Sequence, residues 1–366
     1  MLSQTENIAC GPQELRVLEM LVCPRDRRRL ELDQGMLRCA GNHRYPVVDG
    51  IPVMLLHDVP QTIGIAKTTL LAASGATTEA ADSYYVETLG LSQEEKQGIR
   101  EKLRVANSGV DPVVQYLVGA TSGRLYRYLI GNLGSYPIPE LRLPNASGKF
   151  FLDVGCSWGR WCVAAARKGY IPIGIDASLG AVLAARRTAD RLGLAANFVV
   201  GDARYLPFDT RSFDVVFSYS VLQHFSKPDA KLALGEVQRV LKDRGTSLIQ
   251  MPNRFGIRNL GNCMRRRFRE PRSFEVRYWA PAELKEVFGQ MVGETSLFVD
   301  GYFGLGIQAS DAHLMPARFR TVVILSEFLR KLSHRRNWMS SFADSLYVIS
   351  TRDYAGAQPE QTTVHA

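Results

Sequence analysis

A short apolar run that breaks into a glycine-containing turn and continues as a helical pattern is the feature that most limits how this chain can fold. The run reads Lys149-Phe-Phe-Leu-Asp-Val-Gly-Cys-Ser-Trp-Gly-Arg160. Leu152 and Val154 predict a buried strand, and residues 161–168 predict the helix that follows it. Gly155 and Gly159 would let the backbone pass close to a ligand. Such a turn is typical of folds that hold a nucleotide-shaped cofactor.

Three more apolar runs follow the first, and each ends in or near a polar residue. They cover residues 171–176, 197–202 and 213–224, and the polar residues are Asp176, Asp202 and His224. Asp176 follows the first turn by about 20 residues, where doubly wound folds place an acid on ribose hydroxyls. Four strands separated by helical segments predict an α/β, doubly wound fold with a crevice along the carboxyl edge of a parallel sheet.

These segments resemble the class I S-adenosylmethionine-dependent methyltransferases over roughly residues 149–253. The motifs that carry the resemblance are Leu152-Asp-Val-Gly-Cys-Ser-Trp-Gly159, Gly174-Ile-Asp176, Gly201-Asp-Ala203, Leu206-Pro-Phe208 and Ser220-Val-Leu-Gln-His224. The alternative is a nicotinamide-dependent dehydrogenase, but its G-x-G-x-x-G loop has a middle glycine that this chain lacks. Ser157 stands where the methyltransferase family usually has glycine. The resemblance implies an enzyme with a seven-stranded Rossmann-like sheet and S-adenosylmethionine as its cofactor.

The resemblance also implies a role for individual residues around that cofactor. Asp153 and Gly155 would line its amino-acid part, and Asp176 would accept hydrogen bonds from the ribose hydroxyls. Asp202 and Ala203 would lie beside the adenine. The predicted cofactor-binding set is completed by Ser157, Trp158, Gly159 and Ser218. The alternative for Gly155 is a tight turn without a ligand, and the alternative for Asp176 and Asp202 is a helix N-cap. Gly159 would otherwise serve helix packing, and Trp158 would otherwise cover the sheet.

His224 is the candidate catalytic base. The sulfonium methyl group of S-adenosylmethionine is already a strong electrophile, so the protein's main task is to align a nucleophile near it. His224 follows the fourth strand and would, by analogy, accept a proton where the acceptor must lose one. Shaping the cofactor pocket is the alternative role for His224, and Tyr219 and Asn253 are weaker candidates for the base.

A second informative region lies between residues 18 and 55. Two short hairpins carry Cys23 and Asp26 at one turn and Cys39 and His43 at the other. A module this small buries too little apolar surface to fold securely alone, so we expect a structural zinc ion on these four side chains. The region resembles the zinc-ribbon family that activates or is fused to methyltransferases, in which a cysteine stands at the position of Asp26. A module that has lost its metal is the alternative.

The predicted organisation has four parts. They are a zinc-ribbon-like module over residues 1–58, a linker and helical lid over 59–147, the methyltransferase domain over 148–352 and a disordered tail over 353–366. Residues 62–81 predict a loose linker, residues 92–95 a capped helix start and residues 111–130 a helix. Three tyrosines of the lid are candidates to touch the substrate, with packing as the alternative: Tyr84, Tyr85 and Tyr116.

Composition indicates a cytoplasmic enzyme of more than one module. The chain has 366 residues, of which 46% are hydrophobic and 22% charged. It has no run of about 20 apolar residues such as a membrane span requires, and its N-terminus lacks a signal pattern. Six cysteines without an even framework fit a reducing compartment.

A net charge of +9 suggests an anionic partner. The densest basic segment, residues 253–272, lies where the acceptor enters related enzymes. This segment could contact nucleic acid, an acidic small molecule or a lipid-linked sugar, or it could simply face solvent. Residues 318–336 predict a basic amphipathic helix. A helix packed on its own sheet with arginines outside is preferred over one that lies on an anionic membrane.

The methyl acceptor is the least determined property. The Asn-Pro-Pro-aromatic motif of many nucleic-acid N-methyltransferases is absent, since the corresponding residues are Ser218-Tyr-Ser-Val-Leu222. A small-molecule, glycan or lipid-linked acceptor is therefore preferred over ribosomal or transfer RNA, although an N-terminal ribbon also resembles ribosomal-RNA methyltransferases. A catalytically inactive binding or scaffolding subunit is the alternative from a different class.

Overall fold

Two β-sheets organise the chain. The computed structural model describes residues 19–75, 94, 97–99, 101, 109–121, 126, 129–271, 274–304, 307 and 309–353. Within these residues a small antiparallel sheet lies near the N-terminus, and a larger mixed sheet carries most of the hydrophobic core.

The small sheet forms the N-terminal module. Its strands, in the spatial order β1-β2-β3-β4, are β1 (Leu30–Asp33), β2 (Met36–Cys39), β3 (Arg44–Val48) and β4 (Ile51–Pro52). Two-residue turns join β1 to β2 at Gln34-Gly35 and β3 to β4 at Asp49-Gly50, and all four turn residues have positive φ. Such turns match the twist of the strands they join, so the local sequence sets the register of both hairpins.

Seven strands in the described part of the chain form the large sheet. They are β5 (Phe150–Val154), β6 (Ile171–Asp176), β7 (Asn197–Val200), β8 (Phe213–Ser218), β9 (Leu241–Pro252), β10 (Gly293–Gly301) and β11 (Ser345–Arg352). Their order is β10-β11-β9-β8-β5-β6-β7, with β5 to β9 parallel and β11 antiparallel to both of its neighbours. The chain order reverses on either side of β5, which creates a crevice at its carboxyl end. The predicted fold class is confirmed.

Helices cover both faces of this sheet. They are α1 (Gly64–Ala73), α2 (Pro112–Thr121), α3 (Arg160–Arg167), α4 (Leu179–Arg191), α5 (Lys227–Val240), α6 (Ile257–Arg265), α7 (Pro281–Met291) and α8 (Ala317–Ser333). Helices α5 and α7 pack on the face that presents Leu152 and Val216, whereas α3 packs on the opposite face, against Phe151 and Phe217. No described helix combines the length and hydrophobicity that crossing a bilayer requires.

The predicted loose linker over residues 62–81 is wrong where the structure describes it. Residues 64–73 form α1, because Ile65 and Ala66 are buried and the Thr69 hydroxyl donates to the carbonyl oxygen of Ala177 at 2.9 Å. Tertiary contacts thus order a segment whose composition alone favours coil.

The lid prediction is only partly covered by the described residues. A helix is present within residues 111–130, as α2, and its Tyr116 is completely buried, as the packing alternative expects. Tyr84, Tyr85 and the capped start at residues 92–95 lie outside the described residues, as does the tail from residue 354 onward.

The N-terminal module packs directly on the large sheet. Val53 pairs in parallel with Val200, the last residue of edge strand β7, and the Met54 amide donates to the Val200 carbonyl at 2.7 Å. The Val22 amide donates to the carbonyl of Pro207 at 2.9 Å. The module and the sheet therefore share backbone hydrogen bonds as well as one apolar core.

Candidate cofactor and acceptor site

A cavity of about 670 Å³ opens at the carboxyl ends of β5, β6 and β8. Its size and its place at the switch point of the sheet are those of a small-molecule site. Seven predicted site residues border it: Gly155, Ser157, Trp158, Asp176, Asp202, Ala203 and His224. Asp153, Gly159 and Ser218 do not border it. The hydroxyl of Ser218 instead donates to the Val154 carbonyl at 2.9 Å and ties β8 to β5.

The loop after β5 has three residues in left-handed conformations. They are Gly155 at φ +78°, Ser157 at +47° and Gly159 at +79°. A Cβ at Gly155 would overlap the side chain of Val221, so this position requires glycine for space as well as for its dihedral angle. Ser157 takes the conformation that glycine adopts readily, which costs a residue with a side chain about 1–2 kcal/mol. Ser157, at the position where the family usually has glycine, therefore has a backbone conformation that glycine adopts at less cost.

Asp176 fixes this loop against the next strand. Its Oδ2 accepts the Ser157 amide at 3.0 Å, and its Oδ1 accepts the Ser178 amide at 2.9 Å. Burial raises the pKa of Asp176, and these two hydrogen bonds oppose that rise. Asp176 is not the N-cap of α4, because Ser178 holds that position and accepts the Ala181 amide. A carboxylate has about four acceptor positions, so the ionised group can also accept hydrogen bonds from a ligand's hydroxyls.

Asp202 borders the cavity with its carboxylate already paired. Arg204 donates to it at 2.7 Å, and the same guanidinium donates to Asp229 at 2.9 Å and to the Pro60 carbonyl at 2.7 Å. This ion pair is almost fully buried. Asp202 and the adjacent small Ala203 therefore define the shape of this wall of the cavity.

Asp153 lies behind the loop and is buried. Burial raises its pKa to about 7. Its Oδ2 accepts a long hydrogen bond of 3.5 Å from the Cys162 thiol, and its Oδ1 has no hydrogen-bond partner among the described residues. An acid this poorly solvated favours its neutral form.

His224 ends a short 3₁₀ helix, Leu222–His224, at the cavity wall. Its ring stacks on Phe274, with ring centroids 4.3 Å apart and planes 16° apart. Arg277 donates to the His224 carbonyl at 2.6 Å and holds this turn to the loop that carries Phe274. Burial lowers the pKa of His224 to about 4. The imidazole is therefore neutral at pH 7 and can accept a proton.

The far end of the cavity contains residues that sequence reasoning did not select as site residues. They are Arg142, Arg160, Trp161, Gln250, Phe274, Tyr278 and Asp300. The Tyr219 hydroxyl donates to Asp300 at 2.9 Å, and Arg142 donates to the same carboxylate at 3.0 Å. Nε and Nη2 of Arg160 have no hydrogen-bond partner in the described residues. Arg160 directly follows the glycine loop, a signal that could have found it, whereas no motif marks Arg142 or Asp300.

The four predicted metal ligands converge in the N-terminal module. Their ligand atoms all lie within 4.8 Å of one another. His43 Nδ1 is 3.4 Å from Cys23 Sγ, 3.3 Å from Cys39 Sγ and 3.3 Å from Asp26 Oδ2, and Cys39 Sγ is 3.5 Å from Asp26 Oδ2. Tetrahedral zinc with ordinary bond lengths separates its ligand atoms by about 3.3–3.8 Å. The donor set therefore fits zinc.

The methyltransferase-domain family model matches residues 151–245 of the chain. Among curated proteins, the ubiquinone biosynthesis O-methyltransferase of Coxiella burnetii is 30% identical over 107 residues, which are 29% of this chain and 45% of that protein. The enzyme of the same name from Brucella ovis is 32% identical over 117 residues, 31% of this chain and 46% of that protein. The chain thus matches about half the length of these relatives.

Solved structures show the same kind of similarity. A methyltransferase from Methanosarcina mazei, described as SAM-dependent, is 20% identical with a TM-score of 0.40, over 57% of this chain and 94% of that one. Another similar chain belongs to the complex of the Haloferax volcanii Trm112 methyltransferase activator with a methyltransferase. It is 22% identical with a TM-score of 0.41, over 59% of this chain and 87% of that one. Residues 151–245 of the chain therefore carry a methyltransferase domain, and the strand order of the large sheet is the one expected from sequence for the class I S-adenosylmethionine-dependent family.

Proposed function

We propose that this chain transfers the methyl group of S-adenosylmethionine to an oxygen atom of a small-molecule acceptor. The observation that carries the proposal is the left-handed loop of residues 155–159, hydrogen-bonded to Asp176 at the mouth of a cavity of about 670 Å³. The names of the curated relatives, O-methyltransferases of ubiquinone biosynthesis, favour an oxygen nucleophile.

The residues around the cavity fit the cofactor. Gly155 leaves room for a close backbone approach, Asp176 retains acceptor positions for ribose hydroxyls, and Asp202 with Ala203 offers a wall for the adenine. When bound, S-adenosylmethionine supplies a methyl group that is already activated by its positive sulfur. The protein's contribution is to hold the donor and the acceptor in line and to keep water away.

The opposite end of the cavity suits the acceptor. Trp161, Tyr219, Phe274 and Tyr278 provide aromatic walls that can exclude water and orient a ring. Neutral His224 stands beside them and can accept the proton of an acceptor hydroxyl. With a pKa near 4 it is a weak base, so an acidic hydroxyl, such as that of a phenol, is the fitting substrate.

Calorimetry with S-adenosylmethionine tests cofactor binding. The parent should bind, and Asp176→Asn should bind about 10- to 100-fold more weakly, since a hydrogen bond to a charged group is worth roughly 1.5–3 kcal/mol. Asp190→Asn removes an exposed carboxyl group of α4 and should bind like the parent. A parent that does not bind the cofactor would support the inactive scaffolding subunit and refute the proposal.

Turnover with a panel of phenols and catechols tests the acceptor class. His224→Asn should lower kcat by at least tenfold with little change in cofactor affinity. In the parent, the acid limb of kcat/KM should fall near pH 4 instead of near 6.5, because the free imidazole must be neutral. Methylation of RNA without turnover of any small molecule would overturn the acceptor assignment.

The same proposal assigns structural zinc to Cys23, Asp26, Cys39 and His43. Its support is that four of the six ligand–ligand distances are 3.3–3.5 Å and that all six are within 4.8 Å. One carboxylate in place of a thiolate makes the site harder and weaker than a three-cysteine site. Buried Cys23 and Cys39 also belong to the core shared with the large sheet, so metal loss should loosen that contact.

A further inference from the structure

Large apolar side chains are exposed mainly in one stretch of the described chain. Of the thirteen that are exposed in the described residues, ten lie between Phe255 and Phe342, although that interval is less than a quarter of the chain. Scattered exposed apolar residues are ordinary, but a concentration of them marks an interaction surface.

Helix α8 shows this most clearly. Its inner side carries Val323, and Ser326 and Glu327 also border the cavity. On its outer side Ile324 is 65% exposed and Phe328 is 62% exposed, with Leu325 next to them. An ordinary surface helix presents polar residues to water, as predicted for this one. The observed helix instead has an apolar outer stripe with Arg318, Arg320, Lys331 and Arg335 towards its ends.

Two neighbouring segments also carry exposed apolar side chains. The Tyr302 amide donates to the Ser326 hydroxyl of α8, and the Tyr302 hydroxyl donates to the Met339 carbonyl, so the 3₁₀ helix Asn337–Phe342 lies beside the middle of α8. The side chain of Asn253, just before α6, donates to the Ser341 carbonyl at 2.9 Å. We name the exposed side chains of these segments the C-terminal apolar surface: Phe255, Ile257, Met264, Phe268, Ile324, Leu325, Phe328, Trp338 and Phe342.

Positive charge is concentrated on the same segments. Thirteen lysine and arginine residues but only two glutamates lie in residues 254–272 and 317–336. The net charge of these two segments is therefore +11, which is larger than the +9 of the whole chain. A second copy of the chain would bring two such segments together and be repelled, since like charges across an interface cost several kcal/mol. Anionic lipid head groups would instead neutralise them while the acyl region takes up the apolar side chains.

We propose that the C-terminal apolar surface binds an anionic lipid bilayer. Helices α6 and α8 also border the cavity through Arg258, Asn262 and Ser326. Binding therefore places the acceptor end of the cavity beside the bilayer, where a lipid-linked acceptor can reach it. This assignment of the acceptor rests on the proposed methyl transfer, whereas the membrane contact does not.

Vesicle flotation tests the membrane contact. The full chain should float with phosphatidylcholine vesicles that contain phosphatidylglycerol, should not float with pure phosphatidylcholine, and should be released by high salt. Ile324→Glu/Phe328→Glu should weaken binding at least tenfold, because burying one such side chain is worth about 10- to 100-fold in affinity. Leu232→Glu changes a side chain of α5 that is 52% exposed and should have no effect. Cofactor affinity, measured on the same variants, should not change.

Tryptophan fluorescence gives a second readout that does not depend on these variants. Of the four tryptophans, Trp158, Trp161 and Trp279 are buried, and Trp338 is 62% exposed. Vesicles with brominated anionic lipid should quench the parent and leave Trp338→Phe unquenched. Equal flotation with neutral vesicles, an unquenched parent, or a parent dimer that Phe328→Glu dissociates without any vesicle binding would each overturn the proposal.

Discussion

The buried carboxyl group of Asp153 should make the folded chain less stable as the pH rises. Its pKa is about 7 in the folded chain, against an ordinary value of 3.8. The folded state therefore binds this proton more tightly than the unfolded state does, so the stabilisation is complete below pH 4 and is lost as the pH rises through 7. A pKa difference of about three corresponds to about 4 kcal/mol.

His224 has the opposite effect over part of the same range. Its pKa is about 4 in the folded chain, against an ordinary 6.5, so the unfolded state binds the proton more tightly. The contribution of His224 to the free energy of unfolding is complete above pH 6.5 and is lost as the pH falls towards 4. The stability curve of the parent alone mixes the two groups. The difference between the parent and Asp153→Asn cancels His224 and isolates Asp153.

Urea unfolding of both proteins between pH 4 and 9 measures this difference. The free energy of unfolding of the parent relative to Asp153→Asn should fall by up to about 4 kcal/mol from pH 4 to pH 8. Its absolute value at any one pH also contains the cost of burying the new amide, so the pH dependence is the test. Asp190→Asn, at an exposed position of α4, controls for loss of one carboxyl group. A difference that is constant across the range would refute the assignment of a desolvated acid.

Three further substitutions test the loop and the metal site. Gly155→Ala should destabilise the chain by about 2–5 kcal/mol, the sum of its left-handed φ and its overlap with Val221, and chemical denaturation measures this. Ser157→Gly should stabilise the chain by up to about 1 kcal/mol, because it removes the strain of a serine in the left-handed conformation. The gain is reduced because glycine gives the unfolded chain more conformational entropy, and a lower Tm of the variant would contradict the prediction. Gly41→Ala should lower the zinc content after dialysis, because its Cβ would overlap a carboxylate oxygen of the cluster, whereas Gly134→Ala, which has open space, should retain zinc.

The end of the cavity proposed to hold the cofactor was predictable because its determinants are local. A strand, a glycine turn and the acid at the end of the next strand lie within 25 residues, and their order constrains the sheet topology. Gly155, Ser157 and Asp176 border the cavity, as their positions in these motifs predict.

The end of the cavity proposed to hold the acceptor was not predictable in this way. The Asp300 carboxylate accepts hydrogen bonds from Tyr219 and Arg142, which lie 81 and 158 residues away in the chain. No local pattern relates these three residues. Periodicity predicts a helix at residues 318–336, but not which of its sides faces outward, because both sides contain apolar residues. The expectation was that arginines would face outward, whereas in the structure Ile324 and Phe328 are exposed.

The pairing of Val53 and Met54 with Val200 has a consequence for the behaviour of the chain in concentrated solution. Strand β7 ends the large sheet, and an uncovered edge strand presents backbone amides and carbonyls that can pair with the edge of another molecule. The N-terminal module covers the end of that edge within the same chain. Proteolytic removal of the module would uncover it, so the truncated protein would be prone to self-association and aggregation even where the loop of residues 155–159 is intact.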